Sequence, residues 1–376
     1  MKVALFFFLL LVVGFFTIIA LRNVNISNKT ITDNPLQRPA VSKSLPFKML
    51  DPEKIAIYAQ SLGSVRDLEF AADNLLLASI PSSGTVVALP DKNNDNKADE
   101  IKVIINNLNK PHGIVFYKNK LFVAEETKVS RYTVDKQNLT AQKEKDLFSL
   151  PDGGRHNTRS LDINNKGDLF VTIGSTCDVC FEKHPWIGTV IISDYNGRKP
   201  EIFASGLRNA VFIAVNPQTD QLWATEMGRD FLGDEKPSDE INIIKEGKNY
   251  GWPVCYGNRI YDTSFNQKSP DYCKNTEPPV MEIAAHSAPL GLTFHGGYLY
   301  AAYHGSWNRT EPIGYKVVRF KLNGDKLGKE EDVVTGLLQG SRVLGRPVDV
   351  IFNKNNRLLI SDDRSGAIYT IAGINN

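Results

Sequence analysis

Short runs of alternating apolar and polar residues recur six times along the chain. Each is followed by a turn and a second apolar run headed by leucine. The first three copies are Leu68-Glu-Phe70 with Leu75–Ser79, Ile114-Val-Phe116 with Leu121–Glu125, and Leu161-Asp-Ile163 with Leu169–Ile173. Phe212-Ile-Ala214 with Leu222–Glu226, Leu292-Thr-Phe294 with Leu299–Tyr303, and Val350-Ile-Phe352 with Leu358–Asp362 complete the series. Period-two alternation bounded by Gly, Asn or Asp is strand chemistry, and no helical periodicity competes over comparable lengths. The lead leucines are separated by 46, 48, 53, 77 and 59 residues. Such steps suit the four-stranded blades of a β-propeller. The pattern therefore predicts an all-β, six-bladed propeller over residues 51–376. The 77-residue step marks an insertion after the fourth blade core, and it contains Cys255 and Cys273.

An apolar strand precedes each copy, for example over 101–108, 201–207 and 332–338, and would form the outer edge of the preceding blade. The earliest such strand, over 54–62, has no preceding blade. It is expected to complete the last blade beside 367–371, which joins the two chain ends and removes two exposed sheet edges.

The amino terminus departs from this pattern. Met1-Lys2 precedes an unbroken apolar run from Val3 to Ala20, followed by Arg22. A basic start before 18 apolar residues predicts a signal or membrane-anchor helix over 1–22, and an uncleaved anchor is favoured. Residues 23–50, rich in Asn, Ser, Thr, Lys and Pro, read as a flexible tether. The propeller is then extracytoplasmic, periplasmic or at the cell surface, and held to the membrane through its amino terminus. An oxidising compartment predicts two disulfides, Cys177–Cys180 and Cys255–Cys273. Haem attachment at Cys177-Asp-Val-Cys180 is excluded because Phe181 stands where His is required.

Composition adds exclusions. Forty-four basic side chains against 42 acidic ones give a net charge of +2, and 42% of residues are hydrophobic. Those proportions belong to a chain with real cores, not to a disordered one. Without concentrated basic charge, a nucleic-acid partner is not expected.

Local chemistry gathers at the blade starts. Just before the repeats lie Arg66, His112, His156 with Arg159, Arg208-Asn209, His286-Ser287, and Arg346. In a propeller these positions converge on one axis, where a ring of Arg and His makes an anion-binding funnel. Separately, Asp91, Asn93, Asp95 and Asp99 alternate as in an EF-hand-type calcium loop, with Asn96 in place of the usual Gly and Lys102 at the final ligand position. The other reading of that loop is a solvated polar turn.

Longer motifs carry a resemblance. Gly174-Ser-Thr-Cys177-Asp-Val-Cys180, Asp239-Glu-Ile-Asn242 through Asn249-Tyr-Gly-Trp-Pro253, and His304-Gly-Ser-Trp-Asn-Arg309 are three of them. Gly314-Tyr-Lys-Val-Val-Arg319, Gly345-Arg-Pro-Val-Asp349 and Ser361-Asp-Asp363 are the others. Together, over about residues 52–373, the chain resembles the sorbosone dehydrogenase-like branch of the soluble sugar dehydrogenases that use pyrroloquinoline quinone (PQQ) and calcium. That resemblance implies oxidation of a sugar, polyol or aldehyde, with His156 as general base and hydride passing to the quinone. Arg208 and Asn209 would meet the quinone oxygens, and Arg346 and Arg66 the PQQ carboxylates. The loop from His304 to Trp307 stands where glucose-oxidising relatives carry a cofactor-binding Lys, Val348 where they carry an Arg, and Ser175 where they carry an Asp supporting the histidine. The backbone carbonyls of Gly228 and Arg229 would ligate a cofactor-bound calcium. Glu240 and the carbonyl of Tyr250 would ligate a structural one. The natural electron acceptor, a quinone or a cytochrome, is not encoded in these motifs. Two other functions fit the same funnel: a non-catalytic binding propeller, and a calcium-dependent hydrolase of the lactonase kind.

Overall fold

The computed structural model describes residues 55–374, and over them six four-stranded antiparallel sheets succeed one another. Blade 1 contains Leu68–Ala71, Leu75–Ile80, Thr85–Leu89 and Lys102–Ile105. The inner strands of blades 2 to 6 are Ile114–Tyr117, Leu161–Ile163, Phe212–Val215, Pro289–His295 and Pro347–Phe352. Each predicted repeat thus forms the two innermost strands of one blade. The all-β, six-bladed propeller expected from the pattern is the fold. Blade 6 is completed from the far end of the chain, as the ring-closure expectation requires. Ile55–Ala59 pairs antiparallel with Ala367–Ile371, setting Ile57 opposite Tyr369. The outer strand of blade 5 starts earlier than the 332–338 expected, at Lys326–Val334. The cause is the tight reversal at Gly324, where φ is 62°. It pairs Asn323 directly with Lys326.

Six hydrophobic seams, one between each pair of neighbouring blades, hold the ring. Trp223 and Ile241 of blade 4 meet Leu299 and Phe320 of blade 5. Leu359 and Ile368 of blade 6 meet Leu68 and Leu76 of blade 1. A fully buried Leu, Ile or Phe contributes about 1.5–3 kcal/mol relative to exposure, so the seams supply the main stabilisation.

Polar side chains stitch the innermost strands, which have a ladder partner on one side only. Asp349 Oδ2 accepts from the Leu68 amide at 2.9 Å, closing blade 6 onto blade 1. Asp67 Oδ2 accepts from Ile114 at 2.7 Å, and Asp162 Oδ2 accepts from Val215 at 2.7 Å. Gly291 has no Cβ for a steric reason: one built there would lie 2.2 Å from Asp349 Oδ1. These carboxylates and Glu69 line an axial cavity of about 230 Å³. Burial raises the Glu69 carboxyl and pushes Asp162 up to about 6.

Both expected disulfides are present, and no described cysteine is free. Cys255–Cys273 ties the short hairpin Cys255–Tyr256/Ile260–Tyr261 to the 3-10 turn Pro270–Asn275, inside the insertion predicted in blade 4. Oxidised cysteines agree with an extracytoplasmic compartment. Among the described residues no helix is long and apolar enough to cross a membrane. The anchor over 1–22 and the tether over 23–50 lie outside the described residues.

Ring closure yields a direct test. A chain beginning at Gly63 leaves the Ala367–Ile371 edge unpaired and should lose the cooperative melting transition of the longer chain. An unchanged melting temperature by calorimetry would contradict the closure.

Candidate active site

The loops that enter the innermost strands meet around a cavity of about 390 Å³ at one end of the axis. Its wall includes Arg66, Arg155, His156, Arg208, Asn209 and Arg346, each brought from a blade start. His304, Trp307 and Asn308 close one side, and His286 and Gly228 contribute as well. Three expected members stand behind this wall instead; one, Ser287, is buried and donates to the Ala284 carbonyl. His112 is buried with its ring 5.0 Å from that of Phe212. Arg159 is fully buried and donates to the carbonyls of Pro151, His156 and Thr158. It shapes the turn that presents His156.

The proton on His156 can be located from its neighbours. Ser175 Oγ donates its single hydrogen to the Cys177 carbonyl at 2.7 Å. His156 Nδ1 lies 2.8 Å from the same oxygen and must therefore donate to it. The Nε2 lone pair is left free. Gly174 permits the close approach, since a Cβ there would sit 2.7 Å from His156 Cβ. Burial, followed by the charges of Arg208 and Arg155, lowers the imidazole to about 3. His156 is neutral at physiological pH, as a proton acceptor must be.

Arg208 is the centre of the charge network. Its Nη2 lies 2.8 Å from Asp178 Oδ1 and 3.0 Å from Asp230 Oδ2, while Nε donates to the Asp178 carbonyl at 3.1 Å. Arg155 Nη2 reaches the same Asp230 oxygen at 2.6 Å, and Asn308 Nδ2 donates to its other oxygen at 2.7 Å. Glu226 Oε1 accepts both the Arg208 and Asn209 amides, at 2.6 and 2.9 Å. The backbone carrying the pair is fixed from below.

Across the cavity, Arg66 Nη1 pairs with Asp363 Oδ2 at 2.8 Å, and His304 Nε2 donates to Asp363 Oδ1 at 3.0 Å. Burial alone would raise Asp363, but His304 and Arg66 hold it well below the usual carboxylate range. Arg346 differs: its contacts are the carbonyls of His304 (3.2 Å) and Gly305 (2.6 Å) and the face of Tyr315. Its positive charge is directed to the cavity without a carboxylate partner. Trp307 stands 64% exposed at the rim, edge-on to Phe231, which is 71% exposed.

The metal-ligand candidates fall into two places. Glu240, Tyr250 and Arg229 line a pocket of about 30 Å³ behind the main cavity, together with Glu226 and Gly228. Glu226 Oε2 is buried there with no partner. Burial, with the neighbouring Glu240 charge adding to it, pushes Glu226 up to about 8, and burial pushes Glu240 up to about 7. Two buried carboxylates, one with an unpartnered oxygen, fit a hard divalent cation. The Asp91–Asp99 loop sits apart, against Tyr58, whose carbonyl accepts the Ala98 amide. Asp91 accepts from the amides of Asp95 and Asn96, Asn93 from Asp95, and Asp99 from Lys92.

Sequence reasoning missed the acidic partners. Asp178, Asp230 and Asp363 each orient a cavity arginine, although all three lie in or beside segments singled out in the sequence. Arg155 was overlooked next to His156. The missing signal is a contact between loops distant in sequence, because the pairs are 22 to 297 residues apart.

Four arginines line the cavity against the carboxylates Asp230 and Asp239, so its chemistry fits an anionic ligand.

Comparisons with known proteins bear on the family and the fold. The model of the TrAA12-like family matches residues 49–373. An uncharacterized protein of Borreliella burgdorferi is 32% identical over 303 residues, covering 73% of this chain and 79% of its own. Aldose sugar dehydrogenase YliI of Escherichia coli is 27% identical over 183 residues, 47% of this chain and 45% of that protein. Among solved structures, the calcium structure of the Trichoderma reesei family AA12 enzyme superposes with a TM-score of 0.76 at 19% identity, over 89% of this chain and 98% of that one. The holo PQQ domain of Coprinopsis cinerea pyranose dehydrogenase gives 0.73 at 20% identity, over 84% and 94%. At those identities the likeness to the two structures is one of fold.

The asymmetry between the two arginines is measurable. Arg208→Ala removes the ion pairs to Asp178 and to the buried Asp230, which keeps Arg155 and Asn308, and should cost about 1.5–3 kcal/mol in urea denaturation. Arg346→Ala removes contacts to two carbonyls and the Tyr315 ring and should cost about 1 kcal/mol. Equal losses would contradict the network.

Proposed function

The chain belongs to the TrAA12-like family, and from that premise we propose that it is a quinoprotein dehydrogenase that oxidises sugars or related polyols and aldehydes with PQQ and calcium. The observation that carries the reading is the free Nε2 of a neutral His156, set in an arginine-lined cavity large enough for an aromatic polycarboxylate. When bound, PQQ supplies the two-electron acceptor for a hydride. The chain's own residues do the rest. His156 Nε2 takes the proton of the substrate hydroxyl. Arg208 and the Asn209 amide would hold the quinone end of the group, where positive charge and a neutral donor would stabilise developing negative charge. Arg346 and Arg66 hold carboxylates, Arg346 with the stronger claim because nothing anionic already occupies it. A bound polycarboxylate would also offset the Arg208 and Arg155 charges and return basicity to His156. The His304–Trp307 loop takes the place of the missing lysine by backing Arg346 with its carbonyls and presenting an exposed indole at the rim.

Calcium is assigned to the carbonyls of Gly228 and Arg229 at the cofactor, to Glu240 with the Tyr250 carbonyl and the orphaned Glu226 oxygen behind it, and to the Asp91, Asn93, Asp95 and Asp99 loop. The sorbosone-type motifs favour that substrate branch, and a quinone or cytochrome would take the electrons onward. The N-terminal apolar segment would tether the enzyme at the outer face of the membrane. A hydrolase is disfavoured, because the cavity sets four arginines against two carboxylates, a poor donor set for an axial ion.

The test is reconstitution with PQQ and calcium, followed by dye reduction across a sugar panel. Activity should appear, and His156→Ala should lower kcat by about 10²–10⁴-fold with PQQ affinity kept. Calcium should raise the melting temperature of the unmodified protein, and Glu240→Gln should reduce that rise. Absence of both PQQ binding and dye reduction would overturn the reading.

A further inference from the structure

The Cys177–Cys180 loop has a second role that its oxidised state suggests. It spans four residues, yet it touches both halves of the proposed chemistry. On one side, the Cys177 carbonyl accepts the hydrogen bond of the Ser175 hydroxyl, which leaves the Ser175 oxygen to accept from His156 Nδ1. On the other, Asp178 receives Arg208 through both its carboxylate and its carbonyl. It also accepts the Asp230 amide at 2.9 Å and the Trp252 indole at 3.1 Å. The loop also lacks a ladder of its own. No amide of residues 177–180 donates to a backbone carbonyl. Its nearest local support is Glu182, which accepts from the Thr176 amide and hydroxyl, both at 2.7 Å. Glu182 Oε1 also lies 3.8 and 3.7 Å from the two sulfurs. Bonded sulfurs carry no hydrogen, so those approaches restrain nothing.

We infer that the Cys177–Cys180 disulfide is the positioning element of the site, fixing through one four-residue ring both the proton on His156 and the fork of Arg208. Ser175 is the positioning residue on the histidine side and Asp178 on the arginine side. With the ring closed, the Cys177 carbonyl is a fixed acceptor and Ser175 has no choice of partner. With it open, the carbonyl can turn away. The Ser175 hydrogen then becomes free to point at His156 Nδ1, which moves the imidazole proton to Nε2 and blocks the base. Opening the ring takes two electrons and two protons from a dithiol, which is itself oxidised to a disulfide. The half-buried Cys177–Cys180 pair is open to such a reagent, whereas Cys255 and Cys273 are buried.

This inference builds on the roles proposed for His156 and Arg208, but its test reads the imidazole proton directly and needs no cofactor or substrate. The probe is the 15N chemical-shift pattern of His156 in uniformly labelled protein, which distinguishes an Nδ1–H from an Nε2–H ring. The unmodified protein should show Nδ1–H. A Cys177→Ser/Cys180→Ser double variant and a Ser175→Ala variant should both shift population to Nε2–H, while Ser175→Thr, which keeps the hydroxyl, should retain Nδ1–H. If the double variant fails to fold by circular dichroism, the folded protein is treated briefly with dithiothreitol. Alkylation mass mapping then confirms that only Cys177 and Cys180 are opened. An Nδ1–H ring that persists after opening would overturn the inference, even if the protein is an active dehydrogenase. Where activity is present, the opened form should lose about 10²-fold in kcat, the scale of a small misplacement of reacting groups.

Discussion

The constraint on which everything else depends is that a propeller has no end. Every blade buries one face against each neighbour, so six seams must close simultaneously. The final seam can form only if Ile55–Ala59 returns to blade 6. Closure also solves a polar problem, because the innermost strands present amides to the axis with no ladder partner. Asp349, Asp67 and Asp162 satisfy such amides across blade boundaries, so hydrophobic and polar closure are one event. That rigidity delivers loops from several blades to one mouth with the accuracy a constellation of charges requires.

The axis is electrically divided along its length. Carboxylates of the inner strands crowd one cavity, and arginines and histidines at the strand entries crowd the other. Net charge near zero conceals this separation. At the cationic mouth, the pairing of Arg208 with Asp178 and Asp230 sets the guanidinium in place before any ligand arrives. Arg346 keeps its charge uncompensated. One arginine is held for orientation and the other is available for binding. A preorganised site of this kind requires little rearrangement when an anion enters.

The fold was legible because strand periodicity repeats, and repetition averages out local ambiguity. Even the joining of the termini could be read, since an unpaired outer strand has one logical place. The basic side chains of the cavity were legible for the same reason: Arg66, His156, Arg208 and Arg346 occupy equivalent blade positions. Asp363 and Asp230 were not. Asp363 reaches across blades to Arg66, and Asp230 reaches from the loop between two strands of blade 4 to Arg208 at the start of that blade; strand periodicity carries no record of such contacts. His112 and Arg159 show the converse. They share the blade-start position but turn into the core and the backbone, because the side-chain direction there is set by local loop shape. Ser175 reads as a departure from relatives that carry Asp. In this chain a hydroxyl can fix the histidine tautomer, provided its own hydrogen is committed elsewhere.

The most direct measurement is a crystal structure of the protein grown with PQQ and calcium. The account requires PQQ in the 390 Å³ cavity, a carboxylate on Arg346, the quinone oxygens facing Arg208 and Asn209, and His156 Nε2 open to the substrate side. PQQ bound elsewhere, or a cavity that excludes it at saturating concentration, would contradict the account.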